Sequence, residues 1–248
     1  MPLSGKVAVV AGGGGGFGRE ISLTLARAGA LVVVADNVAA KAGEIAEEIR
    51  MQGGKAVPVD MDVTQSHRLT AIMEDIADTY DGLHVFVNSS GVTLGKPAVE
   101  VDEQDWARVI DINLKGSFFA ARAAGRQMIR RGGGSIVNIA STSAVLAEIN
   151  TAVYAVSKAG VVALTRNLAR EWARYNIRVN AVAPGYARTP LTESLMRDEK
   201  TYQAFLRRIP LRRLCTPQDV ARAVLFLAGG DASFVTGHVL MVDGGQST

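Results

Sequence analysis

The sequence predicts a single-domain α/β fold, a Rossmann-like, doubly wound, seven-stranded parallel sheet with helices on both faces. Three observations predict it: seven short β-branched runs, helix-length segments between them, and runs that stay apolar without alternation, as strands covered on both faces do. The first run, Val7 to Val10, leads into the glycine turn Gly12 to Gly18 and a helix to Ala28. A second strand, Leu31 to Ala35, precedes a helix over Ala39 to Met51; a third, Ala56 to Val59, precedes one over Gln65 to Tyr80. Leu83 to Val87 is followed by a long helical segment, Gln104 to Arg130, and Ser135 to Ile139 by another, Ala152 to Tyr175. Ile177 to Val182, a helix over Pro217 to Leu227 and the closing run Val239 to Val242 complete the order.

The composition agrees with one domain over residues 1–248. The chain has 248 residues, 48% of them hydrophobic, which suffices for one ample core. A formal charge of +3, without runs of like charge, argues against nucleic-acid or membrane binding. Cys215 is the single cysteine, so no intramolecular disulfide can form. No charged leader precedes the apolar run at Val7 and no stretch reaches the roughly 20 apolar residues of a membrane span, so a cytoplasmic protein is expected.

Ligands of such sheets bind beyond the carboxyl ends of the strands, where the strand order reverses. Gly12 to Gly18, Asp36, Asp62, Asn88 to Gly91, Ser141 and Pro184 to Thr189 each follow a strand directly. Gly12, Gly16 and Gly18 fall where a G-x-x-x-G-x-G turn needs backbone without a β-carbon, so that a pyrophosphate can approach main-chain N–H groups at a helix N-terminus. Gly14, Gly15 and Phe17 complete this turn. Asp36 stands where a carboxylate accepts from the adenosine ribose hydroxyls of NAD, and it also suits a cap of the next helix. Gly15 and Asn37 supply no cation for a 2′-phosphate, so NAD is favoured over NADP. Asp62 and Val63, past the third strand, suit the adenine edge.

Tyr154 and Lys158 are four residues apart and so share a helix face. A tyrosine with its ordinary pKa of about 10 is ionised only about once in a thousand at pH 7, so a general base needs that pKa lowered. One unit charge at about 4 Å and an effective dielectric near 20 supplies about 4 kcal/mol, enough for two to three units. Lys158 is expected to supply it. Ser141 can steady a developing alkoxide, although turn capping is the commoner role of such a serine. Asn113 lies inside a helical segment where asparagine is a poor former, which marks it for a specific polar role in a proton relay with Lys158.

With these residues in place, the whole chain resembles the short-chain dehydrogenase/reductase family. The resemblance rests on the glycine turn, Asp62-Val63, Asn88-Ser89-Ser90-Gly91 in place of Asn-Asn-Ala-Gly, Asn113, Ser141, Tyr154-Ala155-Val156-Ser157-Lys158, Pro184-Gly185 and Val242-Asp243-Gly244-Gly245. It implies a catalytic tetrad of Asn113, Ser141, Tyr154 and Lys158, a nicotinamide contact through Ala187 and Thr189, and a homotetramer. The substrate implied is a small carbonyl or alcohol, lined by Ala144 to Asn150 and by a lid at about 186–209. Ala11, Ser89 and Ser90 depart from the family pattern and are expected to cost local stability, with Ser89 or Ser90 restoring some hydrogen bonding.

Two other readings stay open. Arg130, Arg131 and Arg174 lie where 3-oxoacyl-acyl-carrier-protein reductases present cations, and Arg207, Arg208, Arg212 and Arg213 admit the same reading; solvated arginines at helix ends are the commoner role of such residues. A non-catalytic dinucleotide-binding regulator would be expected to lack the tyrosine or lysine. No metal is expected, because His67, His84 and His238 show no ligand spacing, and Cys215 reads as a packing residue. Phe118, Phe119, Ala123, Val161, Val162 and Trp172 are expected to form second apolar faces on the two long helices, available to a partner subunit.

Overall fold

The computed structural model describes residues 1–187 and 198–248. Seven parallel strands lie in the order β3-β2-β1-β4-β5-β6-β7. They are β1 (Val7–Ala11), β2 (Leu31–Asp36), β3 (Lys55–Asp60), β4 (Val85–Asn88), β5 (Gly134–Ile139), β6 (Ile177–Pro184) and β7 (Val239–Val242). Helices α1 (Gly16–Arg27), α2 (Ala39–Met51) and α8 (Pro217–Ala228) cover one face. On the other lie α3 (Ser66–Thr79), α5 (Gly116–Arg130) and α6 (Ala152–Trp172).

The unbroken apolar runs have a direct cause. Alternate strand residues point to opposite faces, so Ala8 and Val10 of β1 join Ile21, Ile49 and Val224 in one core. Val7, Val9 and Ala11 join Leu69, Met73 and Met128 in the other. Expected burial on both faces holds for the inner strands and fails at the edges. β3 alternates toward solvent and carries Pro58, whose missing N–H an edge strand tolerates, and β7 is half-buried along its length.

The long segment after β4 is helical but not regular. α4 (Glu103–Ile110) passes through a π-helical turn, Asp111–Lys115, into α5. Such a turn adds a residue within one helix and shifts the side chains that follow, a device common at functional sites. Asn113, fully buried, sits inside it. A further helix, α7 (Glu199–Arg207), falls in the segment read from sequence as a lid.

The expected second apolar faces are largely corrected. Ala123, Val161 and Val162 are buried within this chain, and Phe119 and Trp172 pack against its core. Phe118, at 39% exposure, alone of that set counts as exposed. A small residue explains one approach: a β-carbon on Gly125 would lie 2.7 Å from the Trp172 ring.

The sheet reverses direction of growth between β1 and β4, which are neighbours although two strands separate them in sequence. Their carboxyl ends therefore lie side by side, and Ser89 N donates to Ala11 O at 2.9 Å. That juncture places the glycine turn beside Asn88 to Gly91.

Candidate active site

The glycine turn is shaped by close backbone approach. Gly12 has a φ of +71°, and a β-carbon there would lie 2.8 Å from Ser90 N. On Gly18 it would lie 1.9 Å from Gly12 O. Gly15 and Gly16, by contrast, have open space on that side, and the N-cap position of α1 at Gly15 carries no side-chain hydrogen bond. The first N–H groups of α1 thus face a groove of about 550 Å³, lined by Gly12, Gly15, Gly16 and Phe17 on one side and Ser89 to Gly91 on the other. An uncapped helix N-terminus beside bare glycines suits the diphosphate of a dinucleotide. Gly14 does not join it: its N–H donates to Asp36 Oδ2 at 3.0 Å.

Asp36 lines the groove, with Oδ1 accepting from Val38 N at 3.0 Å. It does not cap α2, whose N-cap is Val38 without any side-chain bond. Each carboxylate oxygen keeps a lone pair for a ribose hydroxyl. Lys41, in the first turn of α2, lines the same groove as Asp36, and its ammonium has no hydrogen-bond or ion-pair partner among the described residues. Gly15 and Asn37 offer no cation here; the first turn of α2 brings Lys41 to the groove instead.

Asp62 also lines the groove. Burial alone would raise its carboxyl pKa, but hydrogen bonds from Thr64 N at 2.9 Å and Thr64 Oγ1 at 2.8 Å outweigh it and lower the pKa. Val63 is buried against Gly116, where a β-carbon would approach Val63 Cγ2 to 2.8 Å. Asn88 Nδ2 donates to Ser117 Oγ at 2.6 Å, and its Oδ1 accepts from Ser90 N at 3.3 Å. The hydroxyls of Ser89 and Ser90 make no hydrogen bond among the described residues, so Asn88 is held by the Ser117 side chain and the Ser90 backbone.

At its inner end the groove reaches Gly91, and behind Gly91 stand Asn113 and Lys158. A β-carbon on Gly91 would lie 3.3 Å from Asn113 Oδ1 and 3.4 Å from Lys158 Nζ. The Asn113 amide is held on both sides: Oδ1 accepts from Val92 N at 2.8 Å, while Nδ2 donates to Val92 O at 2.9 Å and to Ser157 Oγ at 3.0 Å. Ser157 was not singled out from sequence, although it lies within the same Tyr154-to-Lys158 stretch.

Lys158 is 5% exposed and donates to Ile139 O at 2.8 Å. Burial lowers its pKa from 10.5 to about 8. Its Nζ lies 5.8 Å from the centre of the Tyr154 ring. Burial pushes the Tyr154 phenol above its ordinary 10, and the facing Ser141 hydroxyl opposes that rise. In the protein alone, then, burial raises the phenol pKa where Lys158 was expected to lower it. Ser141 does cap a turn, accepting from Ser143 N at 3.1 Å, and its hydroxyl also faces the Tyr154 phenol.

The remaining candidates fall around this centre. Gly185, just past Pro184, N–H donates to Val242 O at 3.0 Å, and a β-carbon on it would lie 2.9 Å from Asp243 Cα. Ala187 is buried and bridges to Cys215; Thr189 lies outside the described residues. Burial raises the Cys215 thiol to about 12, which suits packing and not nucleophilic attack. Arg130 pairs with Glu74 at 2.8 Å, Arg131 with Asp78 at 2.6 Å, and Arg174 stacks on Tyr175, so these cations are already engaged.

The glycine geometry separates folding from binding. Gly18→Ala should lower the thermal midpoint by several degrees, because a contact of 1.9 Å cannot be relieved without moving backbone. Gly15→Ala should leave it within about 2 °C, on the scale of about 1 kcal/mol or less. Equal midpoints by differential scanning calorimetry would contradict this. Lys158 gives a second expectation, with its sign fixed by linkage. A folded-state pKa of about 8 below the unfolded 10.5 means that the unfolded chain binds more protons between them. Wild-type stability relative to Lys158→Met should therefore rise from pH 8 toward 10.5, by up to about 3 kcal/mol. A difference that stays flat in urea melts across that window would contradict the buried charge.

Comparison with known proteins gives this geometry a family. A family model described as Enoyl-(Acyl carrier protein) reductase matches residues 12–247. The chain is 39% identical over 245 residues to a 3-oxoacyl-(acyl-carrier-protein) reductase of Thermotoga maritima, covering 99% of each. It is 42% identical over 247 residues to a galactitol 2-dehydrogenase of Rhizobium johnstonii, covering 98% of this chain and 95% of the relative. A gluconate 5-dehydrogenase from Burkholderia cenocepacia, solved in complex with NADP and tartrate, superposes with a TM-score of 0.96 at 34% identity, over 99% of this chain and 96% of that one. These relatives are oxidoreductases of alcohols and ketones, and with a model match over nearly its whole length, the chain belongs to the short-chain dehydrogenase/reductase family.

Proposed function

We propose that the protein transfers a hydride reversibly between NAD(H) and a secondary alcohol or ketone, with Tyr154 as general acid and base. The observation that carries this reading is the junction at Gly91. There the open groove meets Asn113 and Lys158 across a gap that any side chain would fill.

The nicotinamide ring would supply hydride acceptance in oxidation and hydride donation in reduction. The uncapped start of α1 and Ser89 to Gly91 would hold the dinucleotide, Asp36 its ribose, Asp62 and Val63 its adenine side, with Pro184, Gly185, Ala187 and Thr189 toward the carboxamide. The protein's own part in oxidation is proton removal: Tyr154 Oη takes the hydroxyl proton while Ser141 Oγ donates to the oxygen left behind. Reduction runs the same steps backward. Lys158, one helical turn from Tyr154, exchanges protons with the Asn113 side of the site. Its lowered pKa of about 8 brings it within reach of neutral solvent.

NAD is the cofactor we propose, because Asp36 would repel a 2′-phosphate. Lys41 supports the second reading, NADP, since this cationic residue lines the same groove as that carboxylate. The substrate reading follows the polyol and sugar-acid relatives; paired Arg130 and Arg131 disfavour docking of an acidic carrier protein. We further propose one catalytic domain over the whole chain, a cytoplasmic location and a homotetramer. Exposed Phe234 and half-buried β7 support association.

The test is fluorescence titration with NADH and NADPH, followed by turnover with galactitol, gluconate, a cyclic ketone and a 3-oxoacyl thioester. Tighter NADH binding is expected, and Lys41→Ala should weaken NADPH alone. Tyr154→Phe should reduce kcat by about 10³-fold with NADH affinity within a few-fold. Turnover retained in that variant would refute the assignment, and thioester-specific turnover with NADPH would favour the acyl reductase.

A further inference from the structure

Glu148, Tyr186 and Arg208 form a closed polar cluster that the proposed chemistry does not use. Tyr186 Oη donates to Glu148 Oε1 at 2.5 Å, and Arg208 donates to Glu148 Oε2 and to Tyr186 Oη, each at 2.8 Å. Each member thus bonds to both others, an arrangement in which one bond polarises the next. The Glu148 side chain is 17% exposed and that of Arg208 51%, so the pair is only partly screened by water.

The three come from separate segments, and each is tied to a different part of the site. Glu148 lies between Ser141 and Tyr154, and its carbonyl accepts from Thr151 Oγ1 at 3.0 Å, at the N-cap position of α6. Tyr186 follows β6, where its carbonyl accepts from Cys215 N at 2.8 Å. Arg208 immediately follows α7, and Phe205 of that helix packs on the Tyr186 ring at 4.1 Å between centres.

Resting on the dehydrogenase reading, we propose that Glu148, Tyr186 and Arg208 are substrate-positioning residues, a latch that fixes the loop after Ser141 against α7 and so sets the substrate-side wall of the site. None of them touches the groove. Loss of the latch should therefore loosen substrate binding and leave both the cofactor and the chemical step in place.

Amide hydrogen exchange on the full-length protein tests the coupling without any substrate. Glu148→Ala should speed exchange in 199–209, where no atom has been changed, by about 10-fold, and Arg208→Ala should do the same in 145–150. The double variant should be no faster than the faster single one, because either change breaks the same ring. Acceleration confined to each altered segment, or multiplied in the double variant, overturns the latch. On whichever ketone or alcohol of the panel turns over, each single variant should raise KM by about 10-fold with kcat within about 2-fold. NADH affinity should not move. Arg208→Lys, which keeps the cation, should recover part of the KM, and a fall in kcat at constant KM overturns the assignment. If nothing in the panel turns over, the functional reading fails separately and the exchange result still decides the latch.

Discussion

The burial of one ammonium governs the candidate site. Lys158 is held at the carboxyl end of β5 with the Ile139 carbonyl as its acceptor, and burial lowers its pKa to about 8. A charge so placed is costly unless it is solvated by fixed dipoles. The surroundings answer this in detail. A π turn presents Asn113, Ser157 and Val92 hold the amide, and Gly91 leaves room between amide and ammonium. Tyr154 shares the desolvation, so its phenol rises where a base would need it to fall. On the proposed reading, the oxidised nicotinamide would supply the positive charge that favours proton removal at Tyr154.

The sheet is what brings these groups together. β1 and β4 are adjacent because the strand order reverses there, so the glycine turn and Asn88 to Gly91 share one rim. β5 supplies Ser141 just past its end, β6 supplies Tyr186, and α6 runs back beneath them with Tyr154 and Lys158 one turn apart. The two cores on either face of the sheet fix those strand ends, so the precision of the site derives from packing remote from it.

Much of this was legible in the sequence, for physical reasons. Val-Ala-Val-Val in β1 reads as a strand because both faces are covered, and Gly18 reads as obligatory because backbone passes 1.9 Å from where its β-carbon would be. What could not be read depends on distance through space. Lys41 is five residues from Asp36 and reaches its groove only because α2 starts where it does. The π turn has no periodic signature, so Gln104 to Arg130 read as one helix. Ala123, Val161 and Val162 read as partner-facing, yet the chain's own helices bury them. Glu148, Tyr186 and Arg208 come from three segments whose meeting no local pattern announces.

Whether burial sets the Tyr154 phenol is tested most directly by the titration of Tyr154 itself. With tyrosine labelled at 13Cζ, five resonances are expected, and Tyr154→Phe assigns the one that disappears. That resonance should titrate above pH 10 in the protein alone and move down by a unit or more, about 1.4 kcal/mol, when NAD is added. A Tyr154 that already titrates below pH 9 without the dinucleotide would contradict this, and would return to Lys158 the whole task of lowering the phenol.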